Sequence, residues 1–205
     1  MSDADLDISE SGIMQIMEAL IQFAIDFSSI LTVIADIFVI LLFIILLTPL
    51  QEQGWGKKIA EAMGRKAIHW SFAVAAISVV GSLFFSNIAG FVPCELCWIQ
   101  RALLYTLAVV LAIGLLARKS ERRRAFDNIM RKTGLIISAI GFPIGAYNVY
   151  LQLGGSALVP CSATGPSCSL VYFIRFGYVT IPTMSLTAFA LIIAFMLLGE
   201  GYREE

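Results

Sequence analysis

The sequence predicts an all-α integral membrane protein whose helices cross the bilayer five times. Hydrophobic residues make up 59% of its 205 residues and charged residues only 14%. The mean hydropathy of +0.85 exceeds that of soluble globular domains. Each of several apolar runs approaches the ~20 residues that an α-helix needs to cross a hydrocarbon core. The runs cover residues 29–49, 68–90, 98–117, 133–153 and 181–199.

The basic residues predict an orientation with the N-terminus outside and the C-terminus in the cytoplasm. Twelve of the fourteen Lys and Arg residues follow the first span, join the third span to the fourth, or lie in the C-terminal tail. Cytoplasmic segments carry the excess of basic residues, so we expect these segments to be cytoplasmic. All four cysteines then lie on the outer side, where disulfides form and persist.

The N-terminal region predicts one unusually long helix behind a short tail. Residues 1–12 contain acidic residues and no basic ones, which is typical of a disordered tail. From Ile13 to Thr48 a helix would be about 54 Å long at ~1.5 Å per residue, so its outer half should lie on or project above the outer surface. Polar residues recur along it at steps of three or four and form one stripe: Gln15, Glu18, Gln22, Asp26, Ser29, Thr32 and Asp36.

Asp36 falls near the middle of the first span, where a carboxylate is costly. One interpretation is a functional carboxylate. The other, which we favour, is a protonated or hydrogen-bonded packing residue.

Three further features predict how the helices are arranged. Trp55 suits an interfacial anchor in the linker after the first span, and Gly81 lets the second span approach a neighbour closely. Pro143 predicts a kink in the fourth span, and Asn148 lies at that span's polar outer end. A kink with polar groups at one depth suggests a pocket.

The string Pro93-Cys94-Glu95-Leu96-Cys97-Trp98-Ile99-Gln100-Arg101 carries the clearest chemistry. Pro93 suits the first turn of a helix, so Cys94 and Cys97 should lie at a helix N-terminus, whose partial positive charge stabilises a thiolate. A lower thiol pKa makes such cysteines reactive. Arg101 follows Cys97 by four residues and should share its helix face.

A second cysteine pair lies in the outer loop between the fourth and fifth spans. Cys161 and Cys168 are separated by six residues that include a Gly and a Pro, and a turn there would bring the two sulfurs together. The aromatic-rich stretch 170–178 that follows predicts a short amphipathic helix on the membrane surface.

Two cysteine pairs in outer loops admit three interpretations. A zinc site is disfavoured because a spacing of six residues, as in the second pair, is unusual for zinc ligands, and the only histidine, His69, lies near the cytoplasmic end. Structural disulfides are disfavoured because a CxxC loop is short, strained and easily reduced. We favour a redox relay, in which one pair passes electrons to the other through a mixed disulfide.

The CxxC string resembles the signature of the DsbB/BdbC family of membrane thiol:quinone oxidoreductases. The stretch Ile181-Pro182-Thr183-Met184-Ser185-Leu186-Thr187-Ala188-Phe189 is similar to the start of that family's last helix. Vitamin K epoxide reductase homologues are the second family considered, although they usually place the CxxC after the loop pair. The resemblance covers the four-helix transmembrane bundle 67–199, and the long first helix has no counterpart in that family's core. The residue patterns predict the other segments: disordered acidic tail 1–12, extra N-terminal helix 13–49 with an amphipathic outer half and a membrane-spanning inner half, cytoplasmic linker 50–66 and cytoplasmic tail 200–205.

The resemblance also implies roles for the matching residues. Cys94 and Cys97 would reduce a bound quinone, either ubiquinone or menaquinone, with Cys97 reacting with the ring and Arg101 beside it. Cys161 and Cys168 would be the shuttle pair, with Cys161 joining the soluble partner. Further cofactor-binding residues are predicted to be Gln100, Trp98 and Asn148.

The resemblance implies an enzyme of the prokaryotic cytoplasmic membrane. It would reoxidise an exported DsbA-like thioredoxin-fold protein and pass the electrons to quinone. The alternatives are a vitamin K epoxide reductase-like redox protein and a non-catalytic scaffold whose disulfides are structural. The close spacing of Cys161 and Cys168 leaves open whether the loops rearrange or the pairs simply exchange. We also hypothesise that helix 13–48 covers part of the outer face near the second cysteine loop.

Overall fold

The computed structural model describes residues 3–48, 54–116, 123–157 and 166–201. Five of its helices are long and apolar enough to cross a membrane, which confirms the predicted number of spans. A sixth, shorter helix precedes the second span. The helices are α1 (Asp3–Leu47), α2 (Gly54–Arg65), α3 (Ala67–Asn87), α4 (Glu95–Leu116), α5 (Arg123–Gln152) and α6 (Ile181–Gly201).

Helix α1 begins at Asp3, so residues 3–12 are helical where the sequence predicted a disordered tail. An acidic sequence suits this position because the helix dipole places partial positive charge at the N-terminus. At ~1.5 Å per residue, the 45 residues of α1 extend about 68 Å, roughly twice a hydrocarbon core.

The core is built around α6, which packs against α1, α2, α3 and α5. In α6, 67% of the span is buried, against 33% or less in each of the other spans. Its sequence is apolar on all sides, as a central helix requires. Buried side chains of α3, α4 and α6 meet in one cluster that includes Ile68, Leu107, Phe189 and Met196.

Glycines let α5 approach α6 closely. A Cβ added at Gly141 would lie 2.4 Å from the ring of the fully buried Phe189, and one at Gly145 would lie 3.4 Å from Leu186. Helix α5 continues through Pro143. The close packing holds the C-terminal half of α5 against α6.

Helix α2 occupies most of the segment predicted as a linker. One face of α2 packs against a buried cluster that includes Leu191 and Phe195 of α6. The residues of this face are Ile59, Ala60 and, one turn later, Met63. The side chain of the predicted anchor Trp55 and the tail residues 202–205 lie outside what the structure describes.

The predicted amphipathic helix over 170–178 is wrong. The segment is an extended loop that ends in a tight turn, closed by backbone hydrogen bonds of 3.0 Å and 2.9 Å between Arg175 and Val179. Phe176 and Gly177 have φ values of 52° and 79°. They are the two central residues of the four-residue turn from Arg175 to Tyr178. Positive φ at both positions is the pattern of a type I′ turn and is incompatible with a right-handed helix.

Candidate active site

The CxxC pair lies at the start of α4, as the sequence predicts. The helix begins at Glu95, and the backbone N–H of Trp98 donates to the carbonyl of Cys94 at 3.0 Å, which closes the first turn. Cys94 and Cys97 are free thiols with their Sγ atoms 2.7 Å apart. A disulfide bond is ~2.05 Å long, so the pair is a dithiol whose sulfurs are already close together.

The surroundings of Cys94 favour its thiolate. A hydrogen bond from the Cys97 thiol lowers the pKa of Cys94 to about 6, although burial acts in the opposite direction. The backbone N–H of Cys97 at 3.4 Å and the side-chain amide of Asn148 lower it further. Cys94 is therefore mostly ionised at neutral pH.

The structure brings Asn148 to the cysteines from α5. Its side chain is fully buried, and its Nδ2 lies 3.5 Å from the sulfur of Cys97 and 3.9 Å from that of Cys94. Its Oδ1 has no hydrogen-bond partner among the described residues. Asn148 thus supplies a donor to the sulfur pair inside an apolar bundle.

Arg101 is buried on the face of α4 that meets α3. Its Nε and Nη2 donate to the hydroxyl and carbonyl of Ser82 at 2.8 Å and 2.9 Å, and its guanidinium lies 5.0 Å from the ring centroid of Trp98. The remaining nitrogen, Nη1, has no hydrogen bond to any residue that the structure describes. The guanidinium is therefore fixed by α3 and Trp98 and not by the sulfurs.

Gln100 faces α6 and is only 3% exposed. The hydroxyl of Ser185 donates to its Oε1. Its Nε2 finds no acceptor within the described parts of the chain. Leaving a buried amide donor without a partner costs ~1–3 kcal/mol, so Gln100 is suited to donate to a bound acceptor.

Cys168 lies against the CxxC pair. It is disulfide-bonded, and it forms one buried cluster with Cys94 and Leu151, against which Cys97 and Tyr147 pack. Its predicted companion Cys161 lies outside the described residues. The loops that carry the two cysteine pairs therefore meet at the same end of the bundle.

Aromatic packing and hydrogen bonds join these two loops. The rings of Phe91 and Tyr172 stack with centroids 4.6 Å apart, and the Tyr172 hydroxyl donates to the carbonyl of Val92 at 2.8 Å. The side-chain amide of Gln152 donates to the carbonyl of Leu170 at 2.9 Å. Cys168 is thereby held over the start of α4.

A cavity of about 310 Å³ opens beside the cysteines between α1, α3, α4 and α6. Its size is at the lower end of the range of small-molecule sites. The lining is mostly apolar, with polar groups at the cysteine end. Its lining includes the predicted site residues Cys94, Cys97, Gln100, Arg101 and Cys168.

Two residues at the site were missed by sequence reasoning. Ser82 anchors Arg101, and Ser185 bonds Gln100. Ser185 stands in the last-helix string that carries the resemblance. Ser82 is one of several small residues in an apolar helix, and nothing in its spacing distinguishes it.

A dithiol lies at a helix N-terminus and packs against a disulfide-bonded cysteine at one end of a multi-pass bundle. This arrangement defines a membrane protein of thiol–disulfide chemistry. The family model "Disulfide bond formation protein DsbB" matches residues 64–199, and the chain belongs to this family. The match begins in the last turn of α2 and covers α3 to α6. The resemblance predicted from the sequence is thereby confirmed.

The names of similar proteins agree with this family. The chain is 39% identical to "Disulfide bond formation protein C" of Bacillus subtilis over 67% of this chain and 95% of the relative. It is 36% identical to a "Probable disulfide formation protein" of Oceanobacillus iheyensis over 60% of this chain and 81% of the relative. A protein of the same name from Coxiella burnetii is 28% identical over 70% and 93% of the two chains. No solved structure matches. Membership supports a role in disulfide bond formation.

Proposed function

We propose that this protein reoxidises an exported DsbA-like thioredoxin-fold protein and passes the electrons to a membrane quinone. We place it in the cytoplasmic membrane of a prokaryote, with the N-terminus and the cysteine loops outside and the C-terminus in the cytoplasm. The observation that carries this proposal is the position of the Cys94–Cys97 dithiol. It lies against Cys168 and beside an apolar cavity that is also lined by Gln100, whose buried amide donor is unpaired among the described residues.

The residues around the cavity fit a quinone. The apolar lining suits a lipid-soluble ring and tail, and Gln100 Nε2 is a buried donor with no protein acceptor among the described residues. Arg101, which also lines the cavity, uses Nε and Nη2 to bind Ser82 and leaves Nη1 for a ligand. When bound, a quinone supplies an acceptor for the two electrons and two protons that convert the Cys94–Cys97 dithiol into a disulfide. Arg101 carries a permanent charge that favours oxyanion character at the ring oxygen.

The contact of Cys168 with the CxxC pair allows thiol–disulfide exchange between the two cysteine pairs. We infer that Cys161 is the disulfide partner of Cys168 and that the exported protein reduces this pair. The Cys168 thiolate then attacks Sγ of Cys94 in the oxidised CxxC, a Cys94–Cys168 bond forms, and Cys97 leaves as a thiolate beside Asn148. The Cys161 thiolate next attacks Cys168 and releases Cys94. The two protons of the Cys161 and Cys168 thiols balance those taken up by Cys94 and Cys97.

The low pKa of Cys94 favours this direction. Once Cys97 has taken up a proton, its thiol donates to the Cys94 sulfur, and a thiol with a pKa near 6 is a better leaving group than an ordinary thiol, so the second attack is faster.

Quinone-dependent oxidation of a reduced partner tests the proposal. The purified protein should oxidise a reduced DsbA-like protein in the presence of decylubiquinone or menadione, with matching loss of quinone absorbance. Cys97→Ser should abolish this reaction and leave the thermal unfolding of the protein unchanged, whereas Ser169→Ala, a change at the exposed loop residue after Cys168, should retain it. Partner oxidation by Cys97→Ser at the wild-type rate would refute the proposal.

A further inference from the structure

Helix α1 forms one side of the cavity, although the family match begins only at residue 64. Four residues of α1 line it: Ser28, Leu31, Thr32 and Ala35. We propose that α1 is one wall of the quinone site, added to the part of the chain that the family model matches, and that it determines which quinones enter and how tightly they are held. This inference rests on the proposed function.

The cavity-facing surface of α1 is suited to an apolar ligand. The hydroxyls of Ser28 and Thr32 donate to carbonyls of their own helix at 3.1 Å and 2.8 Å, so they need no partner from a ligand. These residues and Ala35 recur at about one turn and leave room beside the helix. Leu31, which is 42% exposed, lies at the edge of the cavity.

The opposite wall belongs to α3, where small residues line the cavity beside the larger Val74, Ile77 and Phe85. Ser78, Gly81 and Ser82 line it, and a Cβ added at Gly81 would meet no atom within 4 Å. Helix α1 packs on α6, and the cavity separates it from α3. We therefore place the entry route for the quinone between α1 and α3, on the side of the bundle that faces lipid.

Side-chain contacts hold α1 in this position. Asp36 accepts hydrogen bonds from Tyr178 at 2.8 Å and from Thr187 of α6 at 2.5 Å. Asp26, ten residues earlier, accepts from Arg175 at 2.7 Å. Because Tyr178 and Arg175 belong to the loop that follows Cys168, the same contacts join α1 to the second cysteine loop.

The Asp36 contact is maintained over the physiological pH range. Partial burial raises the pKa of Tyr178 to about 12, and its hydrogen bond to Asp36 and the nearby charge add to the effect. Tyr178 therefore remains a protonated donor.

A matched pair of α1 variants tests the proposal. Leu31→Trp places a bulky ring at the cavity edge, whereas Ile30→Trp places the same ring at a neighbouring position that is 51% exposed and does not line the cavity. The equilibrium Kd for decylubiquinone should rise about tenfold or more in Leu31→Trp and stay unchanged in Ile30→Trp. Reduction of both variants by dithiothreitol should match the wild type. Equal Kd values for the two variants would overturn the proposal.

Photolabelling of the unmodified protein gives a second result that does not depend on how a variant folds. A photoreactive azidoquinone should label the segment 28–35 together with residues of α3 and α4. Labelling confined to α3–α6 would overturn the role of α1 while leaving the proposed function intact. A wild-type protein that neither binds nor reduces any quinone would instead refute the proposed function itself.

Discussion

The side-chain amide of Asn148 lies 3.5 Å from Sγ of Cys97, although the two residues are 51 positions apart. Asn148 is fully buried near the C-terminal end of α5, and the cysteines lie at the start of α4. The contact therefore places a neutral donor beside a sulfur pair that has apolar neighbours. An amide stabilises a thiolate without bringing a second charge into the bundle.

The low pKa of Cys94 predicts the pH dependence of its alkylation. The thiolate is the reactive form, so the rate of iodoacetamide modification should rise with pH, reach its midpoint at about 6 and level off above pH 7. The rates should be measured by mass spectrometry of the reduced protein. A midpoint near 9, the value of an ordinary cysteine, would contradict this account.

Variants at Cys97 and Asn148 separate the causes of the lowered Cys94 pKa. Cys97→Ala removes the main hydrogen bond and should move the midpoint towards 9, whereas Cys97→Ser retains a donor and should keep it low. Asn148→Leu should raise it by less than Cys97→Ala does, because the amide contributes less. Identical midpoints in the Ala and Ser variants would show that the contact between the two sulfurs is not the cause.

We expect tight quinone binding to require the Arg101 guanidinium in the position that Ser82 and Trp98 give it. Lysine cannot make both hydrogen bonds to Ser82 and also cover the Trp98 ring. Arg101→Lys should therefore raise the KM for decylubiquinone about tenfold, the equivalent of ~1.4 kcal/mol. Ser82→Ala, which removes one of the two bonds, should have a smaller effect. An unchanged KM in Arg101→Lys would exclude Arg101 from the quinone site.

Two glycine-to-alanine changes should differ in their effect on stability. Gly141→Ala forces a methyl group against the buried Phe189 ring and should destabilise the protein by about 1–3 kcal/mol. Gly81→Ala is the control, because its Cβ meets nothing within 4 Å, and it should be neutral or slightly stabilising. Thermal unfolding in detergent measures both. Equal melting temperatures would contradict the close packing of α5 on α6.

The two aspartates of α1 should contribute unequally to stability. Asp36 is partly buried and bonded to both Tyr178 and Thr187, so Asp36→Ala should cost about 1–3 kcal/mol. The Asp26 side chain is 56% exposed, and such surface ion pairs contribute at most about 1 kcal/mol. Asp36→Asn retains one acceptor and should fall between the wild type and Asp36→Ala. A larger loss in Asp26→Ala would show that α1 is held at the loop and not at α6.

The spans and the cysteine-bearing helix start could be predicted because their signals are local. An apolar run long enough to cross a membrane predicts a helix without information from other segments, and Pro93 marks the start of α4. The sequence left open whether the polar stripe of α1 meets water or protein, and the structure shows both: Ser29 and Thr32 are buried, whereas Gln15 and Glu18 are exposed. In the structure, Asp36 is a hydrogen-bonded packing residue, the interpretation favoured from the sequence.

The remaining features depend on contacts between distant segments. Ser82 gains its role only because α3 places it beside Arg101, and the sequence contains no signal of that pairing. The loop after Cys168 was predicted as a helix from its aromatic composition, but its conformation is decided by positive φ at Phe176 and Gly177. Composition does not report such a turn when a bulky aromatic residue occupies a position that usually holds Gly, Asn or Asp.

The most direct test of the electron path is a stoichiometry measured without oxygen. Oxidised protein, a reduced DsbA-like protein and excess decylubiquinone are mixed, and partner disulfide and quinol are counted together. The account predicts one quinol for each partner disulfide, no quinol from Cys97→Ser, and loss of partner oxidation in Cys168→Ser with dithiothreitol oxidation retained. Partner oxidation without quinol formation, or full partner oxidation by Cys168→Ser, would contradict it.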